Sequence, residues 1–215
     1  MDFITILLLV VAVGAAFLIW RANQAKKEGG GATENSGSSS PGSGGELRIE
    51  NVGAGGLFSL RGYGPDMEDL DVSVLARHVY DEDGYEWVEL EGETGGRKIW
   101  LTIEVDDETE LSVTLRKVKL NDLGLTPDDL DGLANSAGSF SFEGQTYGFD
   151  ETGRANFHRN GDRGTAERLT YWDFEAGDGR SSISVERWAD GSYEVHLSQT
   201  VRDSQLSVYS LRGDG

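Results

Sequence analysis

Two stretches of this chain repeat one three-strand pattern, and that repetition limits the possible folds more than any other feature. The first is YEWVELEG, a turn at Glu93 to Gly96, RKIWLTIEVD, a turn at Asp106 to Thr109, and ELSVTLRKV. The second is TYWDFEAG, a turn at Gly177 to Gly179, RSSISVERW, a turn at Asp190-Gly191, and SYEVHLSQTV. Polar and apolar residues alternate along each segment, as they do in strands whose two faces meet different surroundings. Setting Glu104 on Glu186 puts Ile103 on Val185, Thr102 on Ser184, Leu101 on Ile183, Val113 on Val195 and Leu115 on Leu197 without a gap. Trp87 reaches Trp172 once the first hairpin loop is allowed to differ in length. Such a register points to a duplicated unit. A single meander buries too little to stand alone, so the expected fold is all-β: two tandem similar meander lobes, their apolar faces closed on each other as one barrel- or sandwich-like domain.

The lobes are expected over 46–120 and 139–215, joined by a connector over 121–138. In the connector, Thr126-Pro127-Asp128-Asp129 supplies an N-cap, a proline at the first helical position and acidic first-turn residues, which predicts one short helix. LRIENV, LFSLRGY and VSVLARHVY read as further strands of the first lobe, and DSQLSVYSL ends in a closing strand. Asp81-Glu82-Asp83-Gly84 is a tight turn, too short for a calcium loop with its spread ligands and closing glutamate.

Ahead of the lobes, Phe3 to Trp20 reads FITILLLVVAVGAAFLIW and carries no charge. As a helix it would be roughly 27 Å long, close to the hydrocarbon thickness of a bilayer. Phe3 and Trp20 suit the two interfaces, and Arg21, Lys26 and Lys27 follow at once, whereas only Met1 and Asp2 precede. Basic flanks stay on the cytoplasmic side, so the expectation is a single-pass anchor over 1–21 in the cell membrane, N-terminus outside and C-terminal domain cytoplasmic. A cleaved secretory signal fits less well, because no basic region leads the run and Gly14-Ala15-Ala16 is followed by more apolar sequence. Residues 22–45 are rich in Gly and Ser and read as a flexible linker with a reach on the order of 25 to 30 Å.

Charge narrows the partners. The formal net charge is −19, and Arg21, Lys26 and Lys27 are balanced by Asp2, Glu28 and Glu34, so all of it resides beyond Gly45. A polyanion of this kind repels nucleic acid and anionic lipid. Solvation in high salt explains such a surface as simply as a cation-binding role does. Cysteine is absent, which fits a reducing compartment and excludes a disulfide framework.

No motif nominates a reaction. There is no Gly-x-Ser-x-Gly elbow, no phosphate loop and no His-Glu-x-x-His, so catalytic residues and cofactors are assigned to none. His78, His158 and His196 share no spacing and read as strand or surface residues, with no metal ligand assigned; His196, opposite in face to Val195 and Leu197, is expected in solvent. Alternation does single out one face. Trp100, Thr102 and Glu104 lie together, as do Ser184, Glu186 and Trp188, so a surface of tryptophan, hydroxyl and carboxylate could hold a polyamine or a divalent cation. The plainer arrangement has the carboxylates in water or paired with Arg97, Arg180 or Arg187.

The strings carrying Glu86-Trp87, Ile99 to Glu104, Gly144 to Tyr147, Glu151 to Ala155, Tyr171-Trp172-Asp173, Ser184 to Trp188 and Asp190-Gly191 resemble the bacterial and archaeal family called domain of unknown function four-one-seven-eight. The likeness covers most of Gly56 to Leu211, although this chain is unusually acidic for it. The resemblance implies a small β-rich domain, in some members behind a membrane segment. It implies genes often neighbouring phage-shock-type membrane-remodelling proteins, small membrane proteins, ion channels and polyamine-synthase-like enzymes, with no established catalytic residue. The expected function is a membrane-anchored, non-enzymatic interaction module of a membrane-stress or membrane-remodelling system, with membrane-associated proteins as partners and cation or polyamine binding as the alternative.

Overall fold

The computed structural model describes residues 46–212. The expected anchor and linker lie outside the described residues, and among the described residues no helix is long and apolar enough to cross a membrane. The strands are β1 (Leu57–Leu60), β2 (Leu70–Glu82), β3 (Tyr85–Thr94), β4 (Arg97–Val105), β5 (Thr109–Val118), β6 (Ser139–Phe142), β7 (Gln145–His158), β8 (Glu167–Ala176), β9 (Ser181–Trp188), β10 (Tyr193–Thr200) and β11 (Leu206–Ser210). A helix, α1 (Pro127–Ser136), occupies the connector. Its start follows the sequence: the Thr126 backbone N–H and hydroxyl both donate to the Asp129 carboxylate, at 2.8 and 2.6 Å. LRIENV is not a strand but a single 3-10 turn at Ile49–Asn51 that sends Ile49 into the core.

These eleven strands belong to one antiparallel sheet, in the order β11-β1-β2-β3-β4-β5-β10-β9-β8-β7-β6, with β2 also paired to β7. That extra pairing joins Val79, Tyr80 and Asp81 to His158, Phe157 and Asn156 and brings the eight strands from β2 to β7 into a partial ring. Two long strands make this possible. β2 pairs with β1 through Leu70 to Ser73 and with β7 further on, while β7 pairs with β6 through Gln145 to Gly148 before reaching β2. Each has one irregularity between its two partners, at Val74/Ala76 and at Phe149/Glu151. A bulge bends its strand and increases the twist, which lets the strand leave one lobe and cross to the other.

The apolar faces do not meet as the sequence suggests. Phe58, Leu60, Val72, Leu90, Leu101 and Val113 form a first core under β1 and β11. Leu130, Trp172, Phe174, Ile183 and Val185 form a second under α1 and β6. Each lobe therefore covers its own apolar face, and the opposite faces of the two meanders turn toward each other inside the ring. A third cluster there draws Tyr80, Trp87, Phe157, Leu169, Tyr171 and Trp188 from both lobes.

The bulges also set the register of the repeat. They match Gly92 to Phe174 and Leu90 to Trp172, and the burial patterns of β3 and β8 then agree almost residue for residue. The cross-strand partners of Leu90 and Trp172 are Leu101 and Val185, so Glu104 corresponds to Trp188 and Glu186 to Thr102. The expected equivalences of Glu104 with Glu186 and of Trp87 with Trp172 are thereby corrected. Trp87 faces the interior of the ring, whereas Trp172 faces a lobe core. At Gly92 an added Cβ would lie 2.4 Å from Val72 Cγ1. Gly92→Ala is expected to lower stability by about 1 to 3 kcal/mol, read from the urea midpoint, because overpacking forces Val72 aside.

Candidate functional site

The two strands that build the site form a tight hairpin. Gly191 takes φ 85°, which favours glycine, and Asp190 Oδ1 accepts from the Ser192 N–H at 2.8 Å and from its hydroxyl at 2.6 Å. The turn fixes Glu194 directly opposite Glu186 and His196 opposite Ser184. With Ile183, Val185 and Val195 committed to the second core, Glu186, Glu194 and His196 point into the ring on one face.

There they converge. His196 Nε2 lies 3.3 Å from Glu194 Oε2 and 3.8 Å from Glu186 Oε2. Lys117, at the junction of β5 with β10, reaches the same Glu194 oxygen at 2.6 Å while its Nζ sits 4.2 Å from the centre of the Trp100 ring. Next to them, Thr114 and Ser198 share a buried hydroxyl hydrogen bond of 2.6 Å. A surface cleft of about 580 Å³, bordered by Arg159, Glu167, Arg168, Trp188 and Ser192, reaches Glu194 at the edge of the cluster.

The electrostatics follow from burial. Burial raises the Glu186 carboxyl to about 8, with Glu89 adding to the rise and Lys117 opposing it. Burial likewise raises Glu89 to about 7, again against the pull of Lys117. Glu194 goes the other way, to about 2, because His196 and Lys117 hydrogen-bond its charged form. Burial lowers His196, with the Glu194 carboxylate opposing the shift. Among the described residues Glu186 Oε2 has no hydrogen-bond partner, although Glu186 is only 7% exposed. An orphaned buried carboxylate oxygen costs free energy that its fold does not recover.

The residues predicted as one open face are thus distributed over different stations. Trp100 is covered by the Lys117 ammonium, and Trp188 packs edge-on against Phe157 with ring centres 5.2 Å apart. Neither offers a free aromatic platform. Glu104 accepts a 3.4 Å hydrogen bond from Tyr85, and Thr102 is half-buried on the same strand. Ser184 lies opposite Asp173. Glu186 is buried, and so neither in water nor at an open binding face. His78, His158 and His196 all lie in strands and are buried, at 3%, 7% and 5% exposure, so the solvent-facing place expected for His196 is corrected. His196 is buried because, at its place on β10, the face opposite Val195 looks into the ring, whereas Glu194 on the same face lies at its open edge. The sequence signal for this cluster is the pattern Glu-x-His at 194 and 196, with Glu186 across the hairpin.

The family model of a domain of unknown function, DUF4178, matches residues 66–203. The chain belongs to this family. The DUF4178 match takes in every strand from β2 to β10, and so the whole ring and the site inside it, while β1 and β11 at one end of the sheet fall outside. No curated protein and no solved structure matches the chain significantly.

Proposed function

We propose that the chain is a non-enzymatic binding module held at the cytoplasmic face of the cell membrane, serving as an accessory factor in a membrane-stress or membrane-remodelling system. What carries this reading is the order of the sequence: an uncharged run at Phe3 to Trp20, the basic Arg21, Lys26 and Lys27, a Gly/Ser linker, and one sheet-bound DUF4178 body. Tethering raises the local concentration of membrane proteins around that body without new contacts. In intact cells, an externally added protease is expected to leave the domain whole and alkaline carbonate to leave it in the membrane pellet. Digestion from outside, or release by carbonate, overturns the reading. Cross-linking in the same cells is expected to capture a membrane-remodelling or channel protein.

A second reading is favoured by one geometric observation. Glu194 stands directly opposite Glu186 on the hairpin, and a carboxylate oxygen of each lies within 4.8 Å of the other and of a His196 ring nitrogen, a convergence that suits a module that binds a cation. Because Trp100 and Trp188 are already covered, a compact ion suits the site better than a long polyamine.

A further inference from the structure

We propose that Glu186, Glu194 and His196 are the protein ligands of one divalent first-row transition-metal ion of the zinc class. The inference deepens the cation-binding reading and rests on it. Three features of the hairpin carry it.

The first is spacing. Bonds of about 2.1 Å to a tetrahedral ion set ligand atoms about 3.4 Å apart. His196 Nε2 stands 3.3 Å from Glu194 Oε2 and 3.8 Å from Glu186 Oε2, and all three ligand atoms lie within 4.8 Å of one another. Small side-chain rotations bring them to a common centre. The second is Glu186 Oε2, without a hydrogen-bond partner among the described residues, which is aimed at the imidazole from a side chain only 9% exposed and which an ion would satisfy. The third is chemical. One imidazole and two carboxylates match a borderline ion better than calcium or magnesium, which prefer six or more oxygens or near-ideal octahedral oxygen shells. Two carboxylates also offset the charge of a divalent ion.

Lys117 has a part as well. Its ammonium on Glu194 Oε2 is a cation beside the place where the ion would sit. Metal binding moves Nζ off that oxygen, and His196 carries its proton on Nδ1 so that Nε2 can ligate. Glu194 is the ligand that borders the cleft, so a water in the fourth position would enter from its side. The ligands come from adjacent strands of one clamped hairpin, so little of the chain has to be ordered to form the site.

The test uses the full-length chain in detergent, stripped with chelator and titrated calorimetrically with zinc chloride, then separately with calcium chloride and with spermidine. Zinc is expected to bind at one site per chain. Glu186→Gln, which keeps the shape of the carboxyl, should weaken zinc at least tenfold, whereas Glu104→Gln should leave it unchanged. Lys117→Met should tighten zinc severalfold, a gain that no purely structural role for the cluster would give. Cobalt(II) should develop the visible absorption of a four-coordinate N/O site in the wild type and lose it in His196→Gln. Circular dichroism confirms that each variant is folded. Equal zinc affinity in wild type and Glu186→Gln overturns the proposal. Saturable spermidine or calcium binding without zinc binding also overturns it, while leaving the cation-binding reading standing. Absence of binding by all three removes both.

Discussion

Phe174→Ala is expected to lower the stability of the domain by roughly 3 to 5 kcal/mol, at the upper end of what one core substitution costs. Phe174 is completely buried at the centre of the second core, edge-on to Phe140 at 5.0 Å and to Phe149 at 6.0 Å. Truncation removes the ring's transfer free energy and leaves a void between Phe140 of β6, Phe149 of β7 and the rest of β8. The informative readout is the shape of the unfolding curve. The two cores are separate clusters, but the lobes share backbone hydrogen bonds along β5–β10 and β2–β7. If those junctions hold the lobes together, urea unfolding of the variant stays a single transition at a lower midpoint. Fluorescence of Trp87 in the seam and Trp172 in the second core would then report the same midpoint. A curve split into an early loss of the second lobe and an unshifted first lobe would show that the ring does not couple them.

How much of this fold is legible in the sequence depends on what alternation can and cannot encode. It places Trp100, Thr102 and Glu104 on one face, and Ser184, Glu186 and Trp188 on another, and the strands keep those faces. The hairpin at Asp190-Gly191 and the helix after Thr126 are legible because local chemistry decides them. Alternation does not say what a face will meet. Each meander has an apolar face and a mixed one, and the apolar face reads as the partner for the other lobe until β1, β11, α1 and β6 are seen to cover it. The mixed face then looks like surface, although ring closure buries it. That closure depends on β2 and β7 each being long enough, and bulged near Leu75 and Asp150, to serve two partners on one edge. A bulge also shifts register, which a gapless comparison of Glu104 with Glu186 cannot detect. The candidate metal ligands are hidden for the same reason: His196 reads as a solvent-facing strand residue, and on an exposed strand a Glu-x-His spacing means little.

Asp173→Asn is expected to stabilise the domain at alkaline pH, by roughly 2 to 5 kcal/mol at pH 9. Asp173 sits in β8 between Glu151 of β7 and Ser184 of β9, and among the described residues its Oδ1 has no hydrogen-bond partner. Burial pushes its carboxyl from 3.8 up to about 8; the Ser184 hydroxyl opposes this, and Glu151 and Asp150 from β7 and Glu104 from β4 add to it. Glu186 of β9 also lies within electrostatic reach. The folded chain therefore holds a proton that the unfolded chain releases near pH 4, and between about pH 4 and pH 8 the native state binds more protons than the unfolded one. Stability from this group is complete below the unfolded value, falls as pH rises through that window, and levels off above about 8. An asparagine amide is neutral throughout and nearly the same size, so the variant loses this part of the slope. Glu89 and Glu186 rise by the same mechanism and leave a residual slope in the variant, which is why the difference between the two urea-midpoint profiles is the quantity to read. That difference should be near zero at about pH 4, grow steadily through neutrality and flatten above about pH 8. A flat difference over the whole range would mean that Asp173 is solvated in the folded chain and that the interior of the ring is wet. A growing one would show that the seam retains its buried acids at a standing cost to stability.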